Sequence, residues 1–182
     1  MNRDPILQQA RDVIHSHQQA SHHISLQFIC THNSRRSQAA QAIAATIADE
    51  LGLNYRMYSG GTEVTAFHPN MVAALQRAGM DIRTDDPTQA NPKYQLHLKH
   101  SQQTMPMWSK RFDDPHHASE PFIAVMTCDH ADVNCPYIPG AAARISLPFV
   151  DPKRADGTDA VDTVYDECVA IIQTELKFIL QP

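Results

Sequence analysis

Apolar positions recur along this chain in two alternating rhythms. Ile24 to Ile29 carries apolar residues on both faces, which predicts a buried parallel strand rather than a half-exposed one. Ahead of it, Ile6, Ala10, Val13 and Ile14 return at helical spacing between Pro5 and His17 and predict a short helix packed on the surface. From Ser37 the period is again helical: Ala40, Ile43, Ile47 and Leu51 share a face, and Gly52 supplies a left-handed stop. Tyr55 to Tyr58 reads as a second strand ended by Ser59-Gly60-Gly61, and Pro69, Val72, Leu75, Ala78 and Gly79 mark a further helix. Phe122–Thr127 and Arg144–Leu147 are the remaining buried strands. The stripe Val161, Tyr165, Cys168, Ile172, Leu176 and Ile179 defines a last helix from about Asp159 to Ile179.

Strands alternating with helices predict an α/β three-layer sandwich with a central parallel sheet of about four strands and a ligand site beyond the strands' carboxyl ends. The whole chain, 1–182, is expected to form a single domain, with residues 1–20 as an N-terminal helical extension. Residues 92–120 interrupt the pattern. Tyr94, Leu96 and Leu98 alternate with polar residues and Met105-Pro106-Met107-Trp108 returns, so a hairpin insert is expected, its proline confined to an edge. Such an insert suits a flap beside the ligand site, or an oligomer contact made through exposed Met105, Met107 and Trp108. The segment from Asp129 to Asn134 is expected to be a short helix or loop.

Composition narrows the function. A net charge of −5 argues against nucleic acid as the main partner, and no stretch is apolar for long enough to span a membrane. The first twenty residues are too polar for a signal peptide, so the expected location is cytoplasmic. There, four cysteines point to catalysis, metal binding or burial before a disulfide framework. The paired histidines do not share a helix face at ligand spacing, and no metal or cofactor is expected from them.

Cys30, Ser59, Cys128 and Asp151 all fall at or just beyond predicted strand ends, where this fold class binds its ligands. Cys30 is followed by Thr31, His32, Asn33, Ser34, Arg35 and Arg36, and then by Ser37 at the start of a helix. A tight loop opening a helix presents backbone N–H groups and partial positive charge to a tetrahedral oxyanion, and Arg36 can grip two of its oxygens. The same field favours thiolate over thiol at Cys30, making it the candidate nucleophile. Cys168, on an apolar helix stripe, reads as core. Cys128, His130, Asp132 and Cys135 could instead supply a structural zinc site, although closed zinc sites usually draw ligands from more than one segment.

Phe28-Ile29-Cys30-Thr31 with Asn33, Ser34, Arg36, Ser37 and Gln38, then Met57 to Glu63, Cys128-x6-Cys135-Pro136, and Asp151-Pro152, together resemble the thioredoxin-coupled arsenate reductases. These share the fold of the low-molecular-weight protein tyrosine phosphatases. The resemblance implies that Cys30 attacks arsenic, Arg36 holds the oxyanion and Ser37 hydrogen-bonds the thiolate. Asn33 and Ser59 would brace the loop, and Asp151 would protonate the departing oxygen. It further implies that Cys128 attacks the Cys30 adduct, releasing arsenite, and that Cys135 carries the oxidation outward to thioredoxin. The alternative is a phosphatase acting on phosphotyrosine or a small phosphoester with Cys30, Arg36 and Asp151 alone, through a cysteinyl-phosphate. Three positions depart from the resembled pattern: Arg35 stands where a cysteine is common, His32 where glycine is common, and Gln41 where some reductases carry a potassium-site carboxylate. A dependence on potassium is therefore not expected.

Overall fold

The computed structural model describes residues 3–20, 23–117, 121–129, 132 and 137–182. Its main sheet has four parallel strands: β1 (Ile24–Cys30), β2 (Tyr55–Gly61), β6 (Phe122–Met126) and β7 (Ala141–Ser146), in the spatial order β2-β1-β6-β7. β1 is central and buried along its whole length, and even Ser25 and Gln27, which share one of its faces, are buried, Gln27 Nε2 donating to Phe112 O. It pairs with β2 from Ile24 opposite Tyr55 to Cys30 opposite Gly61, and with β6 from Leu26 opposite Ile123 to Ile29 opposite Met126. That register brings Cys30 and Cys128 to adjacent strand ends.

The described residues form four α-helices, α1 (Asp4–Ala20), α2 (Arg36–Leu51), α3 (Pro69–Arg77) and α4 (Val161–Leu180), of which α1 and α2 lie on the main sheet and α4 packs on both. α2 lies against β1, β2 and α4. Its alanines at 39, 40, 42, 44, 45 and 48 are all buried, because small side chains let a helix sit close to a sheet and a second helix at once. Gly52 closes it at φ +63°, the left-handed conformation that glycine adopts without steric cost. α1 packs on α4 and β7 through Ala10 and Ile14. A core running through Leu26, Phe28, Ile43, Leu75, Tyr165 and Ile172 joins both layers, each large apolar side chain contributing about 1.5–3 kcal/mol by burial.

The expected hairpin is β4 (Tyr94–His97) and β5 (Thr104–Met107), and β3 (Asp81–Arg83) joins it in a separate antiparallel sheet, order β3-β4-β5. Met107 is fully buried and Trp108 half-buried, so the exposed apolar contact expected of them is not there. The run beyond β5 instead turns back to the main sheet, where Gly61 N–H donates to Lys110 O and Phe112 N–H to Gly61 O. Among the described residues no helix is long and apolar enough to cross a membrane.

Candidate active site

At the end of β1 the chain turns through residues 31–35 into α2. The carbonyls along this turn all face outward. Thr62 N–H reaches Cys30 O, Glu63 N–H and Thr62 Oγ1 reach Thr31 O, and Ser109 and Thr65 hydroxyls reach His32 O. Gln38 Nε2 donates to Asn33 O and His68 N–H to Ser34 O. A planar trans peptide sets its N–H opposite its C=O, so carbonyls pulled outward turn the amide groups toward the inside of the loop. Among the described residues no side chain caps α2, whose positive end opens onto the same space.

Cys30 is buried, and two groups address its sulfur. Asn33 N–H donates to Sγ at 3.2 Å, and Ser37 Oγ lies 3.1 Å away. Asn33 Nδ2 donates to Ser37 Oγ at 2.9 Å, which leaves the Ser37 proton to be given to sulfur. Asn33 can hold this position because its φ of 46° is one that asparagine tolerates, and because Lys110 N–H and Gln38 Nε2 both donate to its Oδ1. The glycines of β2 have the same origin. A Cβ on Gly61 would lie 2.7 Å from Thr31 O, and one on Gly60 2.4 Å from the Phe112 backbone. The strand end is pressed between the cysteine loop and the tail of the insert.

Arg36 and Asp151 meet directly: Nη2 lies 2.6 Å from Oδ2, and Nη1 donates to Phe149 O at 3.1 Å. Asp151 also caps the following turn by accepting from Lys153 N–H. The clamp and the carboxyl group therefore hold each other in this state. The Arg35 side chain points elsewhere, onto Tyr165 Oη and Asp156 Oδ2, both at 2.6 Å, and so braces the loop. Burial works against the charge on Asp156, but the Tyr165 hydroxyl and Arg35 outweigh it and hold the carboxyl below its ordinary range. Burial, with the bond to Asp156, pushes Tyr165 up to about 12, and burial beside Arg35 holds His68 below its ordinary value.

Ser59 Oγ donates to Gln41 Oε1, and Gln41 Nε2 to Met57 O, so Ser59 braces α2 and only through it the loop. His32 stands at the rim, 3.3 Å from Glu63. Cys128 is buried with its sulfur 3.7 Å from Thr31 Oγ1, and it shares an apolar cluster with Cys30. No disulfide forms among the described cysteines. His130 and Cys135 lie outside the described residues, as does most of the segment expected to be a short helix or loop. Asp132, a candidate zinc ligand, is occupied by Arg144 and by Ser146 Oγ at 2.6 Å. Cys168 is core, as its stripe predicts, and burial pushes its thiol up to about 11. The sequence reading missed Ser109 and Lys110 as loop supports, and Asp156 and Tyr165 as the anchor of Arg35.

The family model for low molecular weight phosphotyrosine protein phosphatase matches residues 25–99. Arsenate reductase 1 of Staphylococcus epidermidis is 31% identical over 150 residues, which cover 82% of this chain and 93% of that protein. The arsenate reductase of Bacillus subtilis is 31% identical over 132 residues, 72% of this chain and 76% of its own. Among solved structures, the low molecular weight protein tyrosine phosphatase from T. tengcongensis superposes with a TM-score of 0.55 at 16% identity, covering 86% of this chain and 97% of its own. The YwlE arginine phosphatase from Geobacillus stearothermophilus gives 0.54 at 16% identity, covering 85% and 89%. These two likenesses establish the fold.

Proposed function

This chain belongs to the low molecular weight phosphotyrosine protein phosphatase family, with arsenate reductases among its relatives, and on that premise we propose that it reduces arsenate by a thiol relay. Cys30 attacks arsenic as thiolate. An S–As bond forms, and one arsenate oxygen leaves as water with a proton from Asp151. Arg36 exchanges the Asp151 carboxylate for the oxyanion, which also releases Asp151 to act as acid. The inward amides of residues 31–36 take the negative charge as it builds. The Cys128 thiolate then attacks Cys30 Sγ. The electron pair of the S–As bond passes to arsenic, which departs as arsenite, and a Cys30–Cys128 disulfide remains. Cys135 attacks Cys128, restores Cys30, and offers the outer disulfide to a dithiol reductant of the thioredoxin class. The cytoplasm suits this cycle, since the thiols begin reduced.

The observation that carries the proposal is the pairing of an outward-carbonyl loop around Cys30 with a second buried thiol at the adjacent strand end. A phosphatase would need only Cys30, Arg36 and Asp151, of which Arg36 and Asp151 are in direct contact, and water in place of the second thiol. One substitution separates the readings. Cys128→Ser should abolish thioredoxin-coupled arsenate reduction while hydrolysis of an aryl phosphate stays within about twofold. Unchanged arsenate reduction in that variant would remove Cys128 from the mechanism.

A further inference from the structure

The segment carrying Asp151 runs along a cavity of about 180 Å³ bounded by Phe149, Val150, Cys168, Ile171 and Glu175, so between the buried Phe149 and Pro152 it is only partly supported by core packing. Val150, at its tip, is 74% exposed. Beyond that burial, a set of polar tethers holds its start. Phe149 N–H donates to Thr127 O in the main sheet, and Phe149 O accepts from Arg36. A further tether comes from the N-terminal extension. Arg3, just ahead of α1, donates from Nη1 to Pro148 O at 2.9 Å and lies with its guanidinium 5.6 Å from the centre of the Phe149 ring. The same guanidinium is held by Glu175 of α4: Nη2 donates to Oε2 at 2.7 Å, and Nε lies at ion-pair distance, 2.6 Å, from Oε1. The Glu175 side chain is only 9% exposed, so this carboxylate has little competition from water.

We infer that Arg3 is a positioning residue for the acid segment. Glu175, Arg3, the Pro148–Phe149 backbone, Arg36 and Asp151 form one unbroken series of polar contacts from the N-terminal extension to the proton donor. The inference rests on Asp151 being that donor, as proposed above. Arg3 touches neither substrate nor nucleophile. Its effect is to set where the Asp151 carboxyl stands when Arg36 lets it go, and a displacement of about 1 Å at a reacting group can cost up to a hundredfold in rate.

The test compares the full chain with Arg3→Ala, Arg3→Lys, Asp151→Asn and the Arg3→Ala/Asp151→Asn double variant. Phenyl phosphate, whose leaving group needs a proton, is set against 2,4-dinitrophenyl phosphate, whose leaving group does not. Arg3→Ala should lower kcat on the phenyl ester about tenfold with KM nearly unchanged, and should leave the dinitrophenyl ester within about twofold. Arg3→Lys should recover part of the loss, because a lysine can reach a carbonyl but cannot also address both oxygens of Glu175. In the double variant Arg3→Ala should add nothing, since no acid is left to misplace. Equal losses on both esters in Arg3→Ala alone would mean that Arg3 serves general stability, and the inference would fall while the acid assignment stood. Equal losses in Asp151→Asn would bring down the acid assignment and this inference together. Hydrogen exchange of residues 147–153 provides a readout independent of turnover: it should quicken about tenfold in Arg3→Ala relative to β1, and an unchanged rate would overturn the inference.

Discussion

Around Cys30, Asn33, Ser37 and Gln38 are buried and hydrogen-bonded within the loop, Gln38 Oε1 excepted; around Asp151 the carboxyl is 38% exposed, its segment borders a cavity, and it is engaged by the arginine that must also bind substrate. The nucleophile side draws on four segments, from α2 beside the loop to the insert 77 positions away. Gln38 and Ser37 come from α2, Thr62 and Thr65 from the run after β2, His68 from the start of α3, and Ser109 and Lys110 from the insert. The acid side has a handful of tethers. A nucleophile and its amide cradle gain from being fixed before substrate arrives, since no reorganisation is then needed as charge develops. An acid that must give up Arg36 to the oxyanion gains from being movable. The site combines a rigid half with an adjustable one.

Removing the centre of the rigid half should have the largest effect. Asn33→Ala would leave the Ser37 hydroxyl, the Lys110 amide and Gln38 without a shared partner and put alanine at positive φ. We expect turnover to fall about a hundredfold and stability to drop by about 1–3 kcal/mol, measured by steady-state kinetics and urea unfolding. A loss under threefold would mean the loop holds its shape without that network.

The adjustable half should respond in the opposite sense for binding. Asp151→Asn removes the carboxylate that competes for Arg36, so inorganic phosphate should inhibit about fivefold more tightly even as the proton-dependent reaction slows. Titration of the phosphate inhibition constant checks this, and weaker inhibition would show that the Arg36–Asp151 contact helps to form the anion site.

The smallest effect concerns the insert tail, where burial, opposed in part by Asp114, lowers Lys110 to about 8. Between that value and the usual lysine range the folded state binds fewer protons than the unfolded chain, so this group's contribution to stability rises with pH from about 8 to about 10.5. Below that window the folded protein bears the cost of burying an ammonium. Lys110→Met, which keeps the backbone N–H on Asn33, should therefore raise Tm at pH 7 by a few degrees, and the gain should shrink as pH climbs through the window. A gain that grew with pH would contradict this sign.

What the sequence revealed follows the same division. Its periodic elements were readable because burial imposes a period: β1 on both faces, α2 through its alanines, α4 through the Tyr165–Ile179 stripe. Cys30, Arg36 and Ser37 were readable because one loop carries them at fixed spacing. β3 is three residues long, too short to display alternation. Gly60 and Gly61 looked like a stop yet belong to β2, since only their contacts with Thr31 and Phe112 explain them. Lys110 with Asn33, Arg35 with Tyr165, and Arg3 with Pro148 are joined across 77, 130 and 145 positions, and no local pattern encodes such a pairing. The insert was expected as a flap or an oligomer contact; the part of it that matters to the site is the stretch after the hairpin that buttresses the loop.

The central claim is that the second thiol at the strand end completes the reaction begun by Cys30. The direct measurement is a single turnover of Cys135→Ser with arsenate, quenched in acid, alkylated, and mapped by mass spectrometry. The account predicts one Cys30–Cys128 disulfide for each arsenite released, none with phosphate in place of arsenate, and Cys168 recovered unbridged. Absence of that disulfide in a protein that hydrolyses phosphotyrosine efficiently would contradict the account and make this chain a phosphatase.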